Sequence, residues 1–177
     1  GDSSPNYVFA ANAGQLLQLE LRTKDPKLNI SLYGPNPMDI TPFRSTKILV
    51  PDNGDYLFFI NNLEPNNDYA VDILITDPLV QRIQFNTGES GTILSGGIVR
   101  GESGPVYIFQ ANAQQLLNAT ITTLEENGSI DIVSPSGILL AVNQKDIELA
   151  LPETGDYLLQ VNPIRGNVSF EVIIEIN

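Results

Sequence analysis

Short runs of alternating apolar and polar residues recur along the whole chain. Leu17, Leu19 and Leu21 alternate with polar or charged neighbours, and Leu117, Ala119 and Ile121 repeat this phase in the second half. Alternation places one set of side chains on one face of a strand, whereas no stretch keeps the period of about 3.6 residues that is typical of an amphipathic helix. The pattern therefore predicts strands with one buried face.

Further apolar runs have strand length and are separated by clusters of Pro, Gly, Asn and Ser, which form turns. The clearest of these runs are Ile130–Val133, Ile147–Leu151, Tyr157–Val161 and Phe170–Ile176. Many short strands joined by turns are typical of an antiparallel sandwich, because a lone hairpin is too small to be stable. We predict an all-β protein built from antiparallel β-sandwich domains.

The two halves of the chain repeat one sequence. Residues 7–17 (YVFAANAGQLL) lie over residues 107–117 (YIFQANAQQLL), and residues 51–57 lie over residues 152–158. A period this long is that of a whole domain rather than of a solenoid repeat. We predict two tandem domains, residues 1–77 and 82–177. Residues 82–85 and 92–99 precede the shared part of the second domain and look like one or two extra strands, so the first domain lacks these leading strands and leaves sheet edges open.

An acidic-x-Gly-x-Tyr pattern occurs in both repeats, at Asp52–Tyr56 and Glu153–Tyr157. It predicts a corner between strands, where Gly adopts a dihedral angle that other residues resist and the Tyr hydroxyl satisfies backbone groups. A second interpretation is a calcium site at Asp52, Asn53 and Asp55, since hard cations bind clustered oxygens. The corner is favoured because the second repeat keeps only Glu153 and Asp156.

Composition excludes several chemistries. The chain has no Cys and no His, which removes thiolate nucleophiles, the usual general base near neutral pH and the commonest transition-metal ligand. We predict no catalytic residues, no cofactor and no metal site. The remaining catalytic hypothesis is a glycosidase, which needs a pair of carboxylates. The candidates for such a pair are Glu125, Glu126, Asp55 and Asp156, although charged residues of solvent-exposed turns explain them more simply.

The net charge of −12 at pH 7 opposes binding to nucleic acid or to an anionic bilayer, both of which need a basic surface. No apolar run reaches the length of about 18–20 residues that a membrane helix needs. A basic protein such as a lysozyme would be steered toward the chain.

The segments named above resemble the bacterial pre-peptidase C-terminal (PPC) domain, with its Tyr-x-Phe strand, Ala-Gly-Gln turn and Gly-x-Tyr corner. The second repeat resembles most a related sandwich group that includes the periplasmic inhibitors of g-type lysozyme, through residues 82–85, 96–99, 107–117, 135–137, 151–152, 155–157 and 165–167. The resemblance implies a bacterial β-sandwich, periplasmic or secreted, that acts as a binding module without catalysis. The second repeat departs from the motif by having Gln114 where the first has Gly14.

Two places are candidates for binding. The first candidate is Leu57 with Phe59. The alternation directs Phe59 outward, and the equivalent residue of the second repeat is the polar Gln160. We therefore predict that Leu57 and Phe59 form an interface with the other repeat or with a partner. The loop at Arg165 and Asn167 is the other candidate, because binding residues of sandwiches commonly lie in loops. A plain hairpin turn is the simpler interpretation. The sequons at Asn29, Asn118, Asn127 and Asn167 are treated as incidental.

From the sequence we expect a non-catalytic extracytoplasmic module that recognises a protein or a cell-wall polysaccharide. The alternative is a periplasmic inhibitor of g-type lysozyme, with the second domain as the inhibitory one. The residues do not indicate an oligomeric state.

Overall fold

The computed structural model of the chain describes residues 5–36, 39–86 and 88–177. Within these ranges the protein consists of strands and turns, with no helix that could cross a membrane. The fold is all-β, as predicted. The chain divides into two compact units, one of Gly1–Asp77 with Ser136–Ile138 and one of Pro78–Pro135 with Leu139–Asn177.

The first unit is a sandwich of two antiparallel sheets. Its strands are β1 (Asn6–Ala11), β2 (Leu16–Thr23), β3 (Asn29–Tyr33), β4 (Asp39–Phe43), β5 (Ser45–Leu49), β6 (Gly54–Asn61) and β7 (Tyr69–Thr76). One sheet has the order β1-β6-β3-β4 and the other the order β5-β2-β7. Strands of both sheets contribute to a single core, where the predicted inward residues Leu17, Leu19 and Leu21 are buried.

The second unit repeats this strand order and extends both sheets. Its strands are β8 (Val80–Arg82), β9 (Gly91–Ile98), β10 (Val106–Ala111), β11 (Leu116–Thr123), β12 (Gly128–Val133), β13 (Leu139–Gln144), β14 (Asp146–Ala150), β15 (Gly155–Pro163) and β16 (Val168–Ile176). The sheets have the orders β13-β12-β15-β10-β8 and β14-β11-β16-β9. β8 and β9 are the additions, and β8 pairs with β10 in parallel, which departs from the antiparallel pairing of the other strands.

The acidic-x-Gly-x-Tyr corner is confirmed in both units. The Tyr56 hydroxyl donates to the carbonyl oxygen of Asp52 at 2.9 Å, and the Tyr157 hydroxyl donates to that of Glu153 at 2.5 Å. Gly54 and Gly155 have φ angles of +146° and +154°, which L residues rarely adopt. The motif is thus a structural device that joins two strands.

The turns that follow β1 and β10 are each held by the second residue of the acidic-x-Gly-x-Tyr corner. Asn53 Oδ1 accepts the Ala13 backbone N–H at 2.8 Å, and Thr154 Oγ1 accepts that of Ala113 at 2.9 Å. Gln114 keeps the left-handed conformation of Gly14, with φ of +74° against +87°. The substitution noted in the sequence therefore leaves this turn unchanged.

Candidate functional site

Three loops meet at one end of the second unit. They are the β9–β10 loop, the β15–β16 loop and the turn between β11 and β12. The first two line an open cleft of about 730 Å³, bounded by Arg100–Glu102 and Pro163–Gly166. Loops of a sandwich are free to carry binding residues because the sheets already supply the core.

Asn127 fixes the geometry of this end. Its buried amide donates to the carbonyl oxygens of Arg165 at 3.0 Å and Asn167 at 2.8 Å. The backbone carbonyl oxygen of Asn127 accepts the backbone N–H of Ile164 at 2.8 Å. The β15–β16 loop is therefore held in one conformation by a side chain of the neighbouring turn, which lowers the entropy lost on binding.

Two guanidinium groups belong to the cleft. Arg165 donates to the carbonyl oxygen of Glu125 at 3.3 Å, while the Arg100 side chain has no hydrogen-bond or ion-pair partner among the described residues. Both side chains are exposed. A guanidinium presents five N–H donors in a planar fork that matches a carboxylate, so the cleft can bind an acidic group.

Exposed aliphatic side chains surround these arginines. Leu124 is 92% exposed, Val99 58% and Ile164 59%, and the three lie in or beside the three loops. Arginine is enriched in protein–protein interfaces, and exposed apolar side chains that cluster beside polar ones mark interaction sites. We call the set of Val99, Arg100, Leu124, Ile164 and Arg165 the loop-end patch.

The loop candidate from the sequence belongs partly to this patch. Arg165 lines the cleft, and its predicted binding role stays a prediction. Asn167 uses its Oδ1 to accept the backbone N–H of Arg100 at 2.9 Å. Asn167 thus holds the loops together. Sequence reasoning missed Arg100, whose one visible signal was that basic residues are few in this acidic chain.

The other candidate, Leu57 and Phe59, lies on β6. Phe59 points away from the buried Tyr56 and Phe58 and is partly buried. Its ring stacks on that of Tyr33, with centroids 5.4 Å apart and planes 16° apart. Leu57 is also partly buried. An interface at these two residues stays a prediction.

The calcium interpretation finds no structural support. Asn53 Oδ1 accepts a backbone N–H, and no group of three His, Cys, Asp or Glu side chains in the described part of the chain could hold a metal ion. Asp55 is simply exposed.

Two of the carboxylates considered for a glycosidase pair form ion pairs. Glu126 pairs with Lys145 at 3.1 Å, and Asp156 accepts from both Nη1 and Nη2 of Arg82, at 2.9 and 2.5 Å. The hydrogen bond from Arg82 lowers the pKa of Asp156. A general acid needs a raised pKa, so Asp156 is unsuited to that role.

The Arg82–Asp156 pair predicts a pH-dependent contribution to stability. Because the folded-state pKa of Asp156 is lowered, the pair stabilises the fold above the ordinary aspartate pKa of about 3.9 and this contribution is lost as the pH falls through the lowered value. Arg82→Ala should therefore reduce the midpoint of urea unfolding slightly at pH 6 and by less at pH 2, where protonation of Asp156 weakens the pair. Equal loss at both pH values would contradict an ionic origin. Both side chains are about half exposed, so the effect is small.

No protein-family model matches the chain, and no curated protein matches it. Among solved structures it is similar to the periplasmic inhibitor of g-type lysozyme from Aeromonas hydrophila, with 19% identity and a TM-score of 0.48 over 56% of this chain and 96% of that one. The inhibitor from Salmonella Typhimurium gives 21% identity and a TM-score of 0.47 over 56% and 98%. Likeness at this level concerns the fold and says nothing about what the chain binds.

Proposed function

We propose that this chain is a non-catalytic recognition module that acts outside the cytoplasm and binds a protein through the loop-end patch of its second unit. One observation carries the proposal: the unpaired guanidinium of Arg100 lies beside Arg165, at a loop end that also exposes three large aliphatic side chains.

The composition of the patch favours a protein over a polysaccharide. Leu124 and Ile164 offer apolar surface that a protein partner can bury, and the residues that line the cleft include no aromatic ring. The arginines then receive a carboxylate from that partner. At longer range the net charge of −12 steers a partner of opposite net charge toward the chain. The sequence resemblance to PPC-like domains supports the extracytoplasmic location.

A second candidate function is inhibition of g-type lysozyme. The specific observation in its favour is that two of the segments that resemble the inhibitor group, residues 96–99 and 165–167, flank the cleft. Lysozyme is also the kind of basic protein that the acidic chain would attract.

Binding to a g-type lysozyme tests both statements. The immobilised full chain should bind the enzyme, and Arg100→Ala with Arg165→Ala should weaken binding by about thirtyfold or more, since an arginine at an interface centre contributes about 2 kcal/mol. The matched control is Lys24→Ala with Lys27→Ala, two exposed lysines of the first unit that change the charge equally.

The outcomes separate the two proposals. Undiminished lysis of peptidoglycan with micromolar full chain present would dismiss inhibition. If the arginine pair weakened binding no more than the lysine pair does, the loop-end patch would be contradicted, because the two double variants change the net charge equally and differ only in whether they alter the patch. Binding of soluble peptidoglycan fragments without lysozyme would assign the patch to a polysaccharide.

A further inference from the structure

Two edge strands of the first unit, one in each sheet, have no partner strand on their outer side among the described residues. β1 is the edge of one sheet and β7 is the edge of the other. In the second unit the equivalent strands are covered, β10 by β8 and β16 by β9. An uncovered edge presents a row of unpaired N–H and C=O groups, which is a template for another strand.

The open edge also leaves apolar side chains of β7 exposed to solvent. Equivalent registers against β2 and β11 place Ile73 where the second unit has Ile174. Ile174 is 0% exposed under β9, whereas Ile73 is 43% exposed. Covering β7 would therefore bury apolar surface as well as pair the backbone, and burial is favourable by about 25 cal/mol per Å².

A hydrogen bond between two tyrosines marks the open side. The hydroxyls of Tyr7 on β1 and Tyr69 on β7 lie 2.6 Å apart. This bond, and then burial, raise the pKa of Tyr69 to about 12. The equivalents in the second unit are Tyr107 and Phe170, both buried, and Phe170 cannot form such a bond.

The direction of the free backbone groups follows from the second unit. Ile176 donates its N–H to the carbonyl oxygen of Ser90, just before β9. Since alternate residues of a strand point the same way, the equivalents of the β9-facing residues of β16 are Tyr69, Val71, Ile73 and Ile75. These residues offer their N–H and C=O groups to the open edge of β7.

We propose that the open edge of β7 receives an extended segment of a second protein, paired antiparallel with Tyr69–Thr76. Strand addition of this kind gains affinity from the main chain and specificity from alternate side chains. The surface belongs to the first unit and does not depend on the loop-end patch.

The second unit indicates which side chains that segment needs. In β9 the inward residues are Thr92, Leu94, Gly96 and Ile98, and Gly96 lies opposite Phe170. A Cβ at Gly96 would lie 2.9 Å from the Phe170 ring. The partner segment therefore carries alternate apolar residues and a glycine opposite Tyr69.

Charge adds a second requirement. Asp68 and Asp77 flank β7 at its two ends, and Asp72 within it already pairs with Arg22 at 2.6 Å. Opposite charges across neighbouring strands are favourable, whereas like charges are not. A segment with Lys or Arg at both ends thus fits this edge better than an acidic one.

The test uses a labelled peptide of residues 90–99 (SGTILSGGIV) with one lysine added at each end. We expect saturable binding to the full chain below about 1 mM by fluorescence anisotropy. Amide exchange at Val71, Ile73 and Ile75 should slow about tenfold at saturation, and amides of β16 should not change.

Two N-methylated peptides form the matched pair. N-methylation at Leu94 and Gly96 removes the N–H groups that face the receiving strand and should abolish binding. N-methylation at Ile93 and Ser95 modifies the opposite edge and should leave binding within about twofold. A peptide with glutamates in place of the added lysines should bind more weakly, by a factor that falls as salt rises.

Three results would overturn the proposal. The first is equal binding of the two N-methylated peptides, and the second is protection of β1 amides without those of β7. The third is a dimer in sedimentation of the free chain with β7 amides already protected, which would make a second copy the occupant.

Discussion

Gly104→Ala should destabilise the second unit by about 3–5 kcal/mol, at the upper end of what single substitutions do. The Val161 N–H donates to the carbonyl oxygen of Pro105 at 3.1 Å, which draws this segment onto β15. A Cβ at position 104 would overlap the carbonyl oxygen of Val161 and lie 2.7 Å from its carbon. Both atoms belong to a central strand, so neither can move aside as a side chain could.

The matched control is Gly97→Ala on β9. This glycine is exposed, and a Cβ there would meet only the Val168 carbonyl oxygen, at the ordinary distance of 3.6 Å. We expect a change within about 0.5 kcal/mol. Urea unfolding followed by tyrosine fluorescence gives the free energy of unfolding of each variant. Hydrogen exchange then shows whether the amides of β10 and β15 are the ones that lose protection. A Gly104→Ala protein as stable as Gly97→Ala would contradict the close approach.

Strands with one buried face could be predicted from the sequence, because their alternation is regular. β2, β11, β15 and β16 lie where the pattern placed them. β13 carries no such signal, because its pairing with β12 shifts register twice and Asn143 within it has φ of +53°. Each shift changes which residues face inward and so erases the alternation.

The strand β8 was only partly predicted: the sequence suggests an extra strand at residues 82–85, whereas β8 is Val80–Arg82. It has only three residues and pairs in parallel with β10, so neither its length nor an alternation distinguishes it from a linker. The second unit accordingly begins at Pro78, ahead of the start at residue 82 that the repeat suggests.

Of the five residues in the loop-end patch, only Arg165 could be singled out from the sequence. Arg165 lies in a turn whose position between strands was visible in the sequence. Leu124 and Ile164 join it only because Asn127 ties the β11–β12 turn to the β15–β16 loop, and nothing local in the sequence reveals that contact. Asn127 looked like an incidental sequon, yet both hydrogens of its amide are used in the fold.

Gly155→Ala should destabilise the second unit by about 2–4 kcal/mol, for two separable reasons. Its φ of +154° is strained for alanine, and the new Cβ would lie 2.8 and 2.9 Å from Cγ and Cβ of Pro135. Gly54 repeats the arrangement with Pro35, but the second distance is 3.4 Å. Gly54→Ala should therefore destabilise the first unit by less.

A double-mutant cycle separates the two reasons. Pro135→Gly removes both atoms that crowd position 155 but leaves the backbone angle of that position, so the Gly155→Ala, Pro135→Gly protein should recover about 1 kcal/mol relative to the sum of the single changes. The remaining loss measures the backbone strain at the corner. Additive single changes in urea unfolding would mean that the proline ring does not restrict position 155, and the repeated Gly–Pro contact would then play no part in fixing the corner that both units share.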